Sequence, residues 1–243
     1  MKILKSWLND WIDIETISTD DISEALESLG FEIESRTDKT PNYKNITVGK
    51  VLEIYEHPNA DKVRVTKVDV GSKTYEIVCG AWNFDVGAVV PVALPKSEIK
   101  DGFKIDKRDI RGVESNGMIC SASELDLWDD HAGILKLSDE TKLGSDFSKI
   151  YNSTDTLWEI GVTPNRGDCM SHLGIARELS NYFNLTLKEN SQALKSNIES
   201  VIKVNSGKIK ACNSYQSIEI ENFTLSDSNL NIRYRLSSIG VRV

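Results

Sequence analysis

Between Ile46 and Leu137 the chain is a succession of short β-branched and aromatic runs punctuated by turn residues, and helical periodicity is confined to its flanks. The spacing predicts strands at 46–55, 63–70, 74–79, 88–94, 103–111, 117–121 and 133–137. Gly71-Ser72, Asp85 to Gly87, Asp101-Gly102 and Gly117 separate them, residue types that reverse a chain at little steric cost. In the second strand Val63 and Val65 share one phase, whereas Val68 and Val70 share the other. That switch predicts a bulge, one way a small sheet bends toward closure. With one short helical piece at 121–127, the pattern predicts a five-stranded barrel with additions.

The flanks follow a different period. Ile3, Leu4, Trp7, Leu8, Trp11 and Ile12 fall at helical spacing. A second helix is marked by Asp21 and Glu24 as a capping box, by the stripe Ile22, Ala25, Leu26 and Leu29, and by Gly30 as its stop. Phe31 to Ser35 alternates as a strand, and the polar stretch 37–44 around Pro41 marks a boundary. After a connector over 141–153, Leu157 to Val162 reads as a strand and Thr163 to Asp168 as a turn held by Arg166 and Asp168. A helix over 171–183 follows, with the stripe Ile175, Ala176, Leu179, Tyr182 and Phe183 and with Asn184 as its stop. Neither residues 1–38 nor residues 154–190 suffice to bury their own stripes. The two pieces are therefore expected to pack on each other as one split α+β domain, with a barrel domain over 39–153 inserted between them. A third segment occupies 195–243, after a linker-like stretch at 191–200, with strands expected at 201–204 and 217–221 and a helix at 230–239. The sequence stops at Val243 on an apolar run with no polar tail, which leads us to expect a longer natural chain.

Composition narrows the function classes. No apolar run is long enough for a membrane-spanning helix, and no charged-then-apolar leader is present, so no membrane partner is expected. Cys79, Cys120, Cys169 and Cys212 lie far apart with no C-x-x-C, which predicts buried, reduced thiols in a cytoplasmic protein. Lys and Arg number 29 against 37 Asp and Glu, a net charge of −8. A generic nucleic-acid binder is basic, so any contact with RNA must come from a local positive patch, with another surface or subunit adding affinity. No nucleophile–base pair, P-loop or metal-ligand spacing is visible, so no catalytic and no metal residue is assigned. Asp129, Asp130 and His131 are adjacent and point in different directions, which favours a polar turn over a metal site.

Two motifs carry a resemblance. His57-Pro58-Asn59-Ala60-Asp61-Lys62-Val63-Arg64-Val65 and Arg111-Gly112-Val113-Glu114-Ser115-Asn116-Gly117-Met118 together resemble the two signatures of the oligonucleotide-binding (OB) barrel used as a tRNA-binding domain. Ser6-Trp7-Leu8, Leu29-Gly30-Phe31-Glu32, Thr163-Pro164-Asn165-Arg166-Gly167-Asp168 and Gly174-Ile175-Ala176-Arg177-Glu178 bracket that barrel. Their order is similar to that of the bacterial phenylalanyl-tRNA synthetase beta subunit. Tyr215, Arg235-Leu236 and Gly240-Val241-Arg242 look like the opening of that family's editing domain.

The resemblance spans essentially the whole chain and implies an α+β, multidomain fold. In it an OB-fold barrel is inserted into a small split α+β domain, helical and winged-helix-like, and the start of a third, α/β editing domain follows. It implies an α₂β₂ ligase that attaches phenylalanine to tRNA-Phe using ATP and magnesium. Catalysis then resides on the alpha subunit and further along the beta chain, and this stretch holds no cofactor and takes no DNA.

On that reading the candidate tRNA-binding residues are His57, Asn59, Lys62, Arg64, Trp82, Lys104, Lys107, Arg108, Arg111, Ser115, Asn116 and Met118. Lys62 and Arg64 alternate outward from Val63 and Val65. Lys104, Lys107, Arg108 and Arg111 form the densest basic cluster, interrupted by Asp106 and Asp109. Each candidate has a structural alternative. His57 is either a base or phosphate contact or a turn residue locked by Pro58, with Asn59 and Asp61 bonding the turn. Trp82 either stacks on an unpaired base or packs on the barrel mouth. Ser115 and Asn116 either touch RNA or shape a turn, and Met118 either joins them or lies in the core. Two rival functions stand beside the ligase subunit: a free-standing tRNA-binding protein, and a protein-interaction module, which the −8 charge keeps open.

Overall fold

The computed structural model describes residues 1–130, 132–151, 154–188, 215, 218–225 and 228–243. His131, Cys212 and the strand expected at 201–204 lie outside them. Strand β1 (Lys2–Leu4) runs straight into α1 (Lys5–Leu8), and a loop leads to α2 (Thr19–Ser28) and β2 (Glu32–Lys39). Then come β3 (Lys44–His57), β4 (Ala60–Asp69), β5 (Thr74–Cys79), β6 (Val89–Ile99), β7 (Phe103–Lys104), β8 (Arg108–Ile110), β9 (Val113–Ser115) and β10 (Met118–Ile119). Finally α3 (Phe147–Ile150), β11 (Asp155–Gly161), α4 (His172–Phe183) and α5 (Leu230–Ser238) follow.

Tertiary pairing overrides the helical spacing of residues 3–12. Ile3 and Leu4 pair antiparallel with Trp158 and Leu157 of β11, and only the single turn α1 follows. The apolar positions are buried all the same, Ile3, Leu4, Leu8 and Ile12 among them. Helix α2 is capped one turn earlier than expected, by Ser18, whose hydroxyl accepts the Asp21 N–H at 3.0 Å. Its end is as the sequence indicated. Gly30, at φ +87°, donates to Glu27 O and Phe31 donates to Leu26 O, a Schellman closure that needs a left-handed residue. Helix α4 starts at the Ser171 cap and ends at Asn184 in the left-handed conformation. Tyr182 sits off the buried stripe, which is Ile175, Ala176 and Leu179.

These flanking pieces share one sheet, in the order β1-β11-β2, and one core in which Leu8, Ile22 and Leu26 meet Trp158, Ile160, Ile175 and Leu179. The Trp158 indole donates to Ser23 Oγ at 2.9 Å, so its one polar atom is satisfied in the interior.

The intervening segment forms a second sheet in the order β10-β6-β3-β4-β5, with β7 on β6. Asn116 N–H donates to Glu76 O at 2.8 Å and Val78 N–H donates to Ser115 Oγ at 3.0 Å. The segment between β9 and β10 therefore runs beside β5, and the two edges of the sheet meet. Val51, Val68, Ile77, Val90, Val92 and Ile119 fill the enclosed core. The bulge lies on the partner of the expected strand. Val51 faces Val68 and Glu53 faces Lys67, which leaves Leu52 of β3 as the extra residue. The buried phase of β4 changes across Val65, Thr66 and Val68 because its neighbour bends there.

Other sequence expectations resolve into smaller pieces. The strand expected at 103–111 is divided into β7 and β8, and β8 forms a separate hairpin with β9, a strand the sequence did not reveal. Residues 121–127 make one turn, closed when Ser121 N–H donates to the Glu124 carboxylate and Glu124 N–H to Ser121 Oγ. Residues 133–137 contribute an isolated bridge, Val89 to Leu137, and no strand. Residues 218–221 carry no regular structure.

Gly117 joins β9 to β10 at φ +148°, and a Cβ there would sit 2.6 Å from Ala93 O. Gly117→Ala is expected to cost about 2–4 kcal/mol of stability in urea unfolding, from backbone strain and overpacking together. A pH effect is expected from His172. Its Nε2 accepts the Leu4 N–H at 3.2 Å and its ring stacks on Trp7 with centroids 4.1 Å apart. Burial first, and the Arg235 cation second, hold its pKa down at about 4, against 6.5 unfolded. The unfolded chain therefore binds this proton first as pH falls. Stability present above pH 6.5 is lost down to about pH 4, by up to roughly 3 kcal/mol. His172→Gln should remove that part of the slope from urea midpoints measured across this window.

Candidate nucleic-acid interface

The turn between β3 and β4 and the tip of the β8–β9 hairpin touch in space, their bonded residues lying 53 and 52 positions apart in sequence. His57 Nδ1 accepts the Asn59 N–H at 3.1 Å, which fixes the tautomer so that Nε2 donates to Ile110 O at 2.9 Å. Asn59 Nδ2 donates to Arg111 O at 2.9 Å, and Arg111 Nη1 reaches back to Asn59 O at 3.5 Å. Arg111 and Gly112 both have positive φ, 51° and 90°, the geometry of a primed hairpin turn. Gly112 N–H donates to Asp109 Oδ1 at 2.9 Å. The two sequence signatures are thus one structural unit. His57 is only 6% exposed and spends both ring nitrogens inside it, so it positions the unit and has nothing left for a base or phosphate.

Arg64 also departs from its expected exposure. Its guanidinium donates to Ala81 O at 2.9 Å and to Phe84 O at 3.1 Å, and lies 4.7 Å from the centroids of both the Trp82 and Phe84 rings. Its Nε is buried. The strand alternation that aimed Arg64 outward could not show that the 81–84 loop folds over it. Arg64 therefore fixes the loop, and Trp82, 61% exposed, is held out from it with the cation behind its ring. Asn83 locks the other side, exchanging hydrogen bonds with Ile134 O at 2.9 Å and Ile134 N at 3.0 Å.

Ser115 is buried and its hydroxyl accepts from Val78 N and donates to Gly117 O at 3.0 Å, so it seals the sheet edge. Asn116 is half-buried and gives its backbone N–H to Glu76. Met118 is half-buried against the core. Exposure is kept by Asn59, Lys62, Lys104, Lys107, Arg108 and Arg111. Lys107 pairs with Glu114 at 3.1 Å, both ends solvated, a contact worth under about 1 kcal/mol and easily exchanged. Arg108 lies over the Phe103 ring at 5.3 Å. The cations form two groups: Lys104 and Arg108 beside Phe103, and Arg111 on the Asn59 turn that opens into Lys62.

Outside this region, Asp168, Cys169 and Glu178 bring ligand atoms within 4.8 Å of one another. The Arg166 guanidinium occupies the centre, at 3.0 Å, 2.8 Å and 3.1 Å from the three groups. It holds the Asp168 carboxyl down at about 2, and the cluster anchors the turn before α4. Cys79, Cys120 and Cys169 are free and buried. Among the described residues no helix is long and apolar enough to cross a membrane.

Residues 46–146 match the family described as "Putative tRNA binding domain", so the chain contains a domain of the tRNA-binding class. The phenylalanine–tRNA ligase beta subunit of Syntrophus aciditrophicus is 34% identical over 245 residues, covering 100% of this chain and 30% of that protein. That of Burkholderia lata is 45% identical over 185 residues, covering 73% and 23%. That of Fusobacterium nucleatum is 34% identical over 245 residues, covering 99% and 31%. The chain belongs to the phenylalanine–tRNA ligase beta subunit family, and spans less than a third of the length of these relatives. The C-terminal domain of Plasmodium vivax p43 aligns over 49% of this chain and 71% of that one, at 25% identity and a TM-score of 0.32, a likeness too slight to speak for the fold.

Two arginines separate anchoring from display. Arg64→Ala should lower stability by about 2 kcal/mol in urea unfolding, from two lost charge-assisted hydrogen bonds and the collapse of the loop. The tryptophan emission should shift as Trp82 is released. Arg111→Ala, whose side chain is exposed, should stay within about 0.5 kcal/mol of the parent chain.

Proposed function

We propose that this chain is the N-terminal, tRNA-binding part of a phenylalanine–tRNA ligase beta subunit, acting in the cytoplasm within an α₂β₂ enzyme that attaches phenylalanine to tRNA-Phe with ATP and magnesium. The stretch contributes RNA contact and assembly and no catalytic residue. Its domains are a split, winged-helix-like unit over 1–38 and 154–190, an OB-fold barrel over 39–153, and the start of an editing domain over 195–243. Support for the barrel is its strand order, β3-β4-β5-β10-β6 and back to β3, the order of a five-stranded Greek-key barrel.

The observation that carries the functional reading is the hydrogen-bonded union of the β3–β4 turn with the β8–β9 hairpin. In a barrel of this order those are the connections after the first strand and before the last, the loops that bind oligonucleotides. The union places Asn59, Lys62 and Arg111 at one exposed edge and Trp82 on a fixed loop near the next strand end. Positive charge for phosphates and an aromatic face for unpaired bases are the two requirements of single-stranded RNA contact. The net charge of −8 belongs mostly to other surfaces and limits this chain's affinity.

Titrate labelled tRNA with the chain by electrophoretic shift at several salt concentrations. Binding is expected at low salt, fading as salt rises because each phosphate contact releases counterions. Arg111→Ala and Lys62→Ala should each weaken binding several-fold and flatten the logarithmic salt slope by about one unit or less. Lys2→Ala, outside the barrel, should change neither. Absence of binding at every salt concentration would favour a protein-interaction module instead.

A further inference from the structure

We propose that the cavity between Trp82 and Glu124 is a base-reading pocket that selects an unpaired nucleobase bearing an exocyclic amine, cytosine above uracil, in single-stranded RNA. The proposal rests on the RNA-binding reading above and goes further by assigning a discriminating residue.

The cavity has a volume of about 720 Å³ and is bordered by Cys79, Gly80, Trp82, Met118, Ser121 and Glu124. Three features suit it to a base. Its wall is an exposed indole that Arg64 backs and Asn83 braces, so a stacking platform is in place before any ligand arrives. Glu124 apart, its remaining lining is uncharged, Val78, Met118, Ile119 and Ile134 among it, and burial pushes the Cys79 thiol up and keeps it protonated. The same cavity is lined by one carboxylate, that of the half-buried Glu124.

Glu124 is held rigidly. One carboxylate oxygen accepts the Ser121 N–H at 2.6 Å, its own N–H donates to Ser121 Oγ at 3.2 Å, and its carbonyl accepts the Lys100 N–H at 3.0 Å. Among the described residues the second carboxylate oxygen accepts no hydrogen bond and receives no ion pair. A half-buried carboxylate with a free oxygen rewards an N–H donor and repels a carbonyl oxygen. Stacking on Trp82 accepts any base, because every base has a π-face. Selection therefore falls to the edge that meets Glu124. Cytosine presents its N4 amine where uracil presents O4, at the same ring size, so these two bases isolate the edge from the stack.

The test is fluorescence anisotropy with labelled six-nucleotide oligocytidine and oligouridine at low salt and neutral pH, beside tRNA on the same preparation. Oligocytidine is expected to bind about tenfold more tightly than oligouridine. Glu124→Gln keeps an oxygen for the Ser121 N–H and adds an amide donor, and should bring the two oligomers to within about twofold. Trp82→Ala should weaken both by a similar factor. A second measurement needs no variant: replacing one adenosine by purine riboside in a six-nucleotide RNA deletes only the amine, and should weaken binding to the unaltered chain. Equal binding of cytidine and uridine oligomers, or discrimination that survives Glu124→Gln, would overturn the assignment. If tRNA binds without base discrimination, the pocket fails and the RNA-binding reading stands. If neither tRNA nor oligomers bind, the reading itself has failed.

Discussion

Strand β11 is the piece on which the rest of the architecture depends. It lies between β1 and β2, so that Leu157 pairs with Leu4 on one side and Thr37 on the other, partners that precede it by more than a hundred residues. The two ends of the segment between β2 and β11 must come together for those ladders to form. Side chains reinforce the return: the buried Asp155 carboxylate accepts the Ser6 N–H at 3.0 Å and the Ser6 hydroxyl at 2.6 Å, and the Met1 amino group donates to Ile160 O. Trp158 then plugs the core that the sheet shares with α2 and α4. A long insertion tolerates this arrangement because loop-closure entropy grows only slowly with length.

What could be read in the sequence was what local chemistry dictates. The stops at Gly30 and Asn184 have local causes, and the structure has them where the residue types take the left-handed geometry they need. The paired apolar stripes likewise predicted a shared core from the need to bury them. Residues 3–12 could not be read that way, because Ile3 and Leu4 answer to an edge on β11 and not to their own spacing. The bulge was legible as a broken phase but not as to strand, since a bend in β3 at Leu52 displaces the pattern of β4 opposite.

At the candidate interface the same division holds. Exposure of Lys62 and Arg111 follows from alternation and turn position. The roles of His57, Arg64 and Ser115 do not, because each is set by a segment remote in sequence: Ile110 O for the imidazole, the 81–84 loop for the guanidinium, Val78 N for the hydroxyl. These three polar groups resemble ligand contacts in the sequence because both tasks need a directional hydrogen bond. Their burial decides between the tasks. A binding surface made of short loops has little packing of its own, so polar groups directed inward supply the rigidity that lets a few outward ones act.

Helix α5 adds contacts of the same inward kind between the two sheets. Arg233 and Arg235 are two residues apart, about 200° around a helix, and so point to opposite sides. Arg235 meets Asp10 at 2.5 Å and 3.1 Å and lies over Trp7, within the split unit. Arg233 meets Asp130 at 3.4 Å and lies over Trp128, on the side of the second sheet. Tyr234, between them, packs edge-on to Tyr151 in the core that includes Ile46 and Ala93 of the second sheet, and Lys39 at the end of β2 donates to Ser238 Oγ at 3.0 Å. One short helix from late in the sequence thus grips both units at their junction. The segment that carries the second sheet is joined to the first sheet through β2 and β11. The arginine pair on α5 adds a third link between them, through Asp10 on one side and Asp130 on the other.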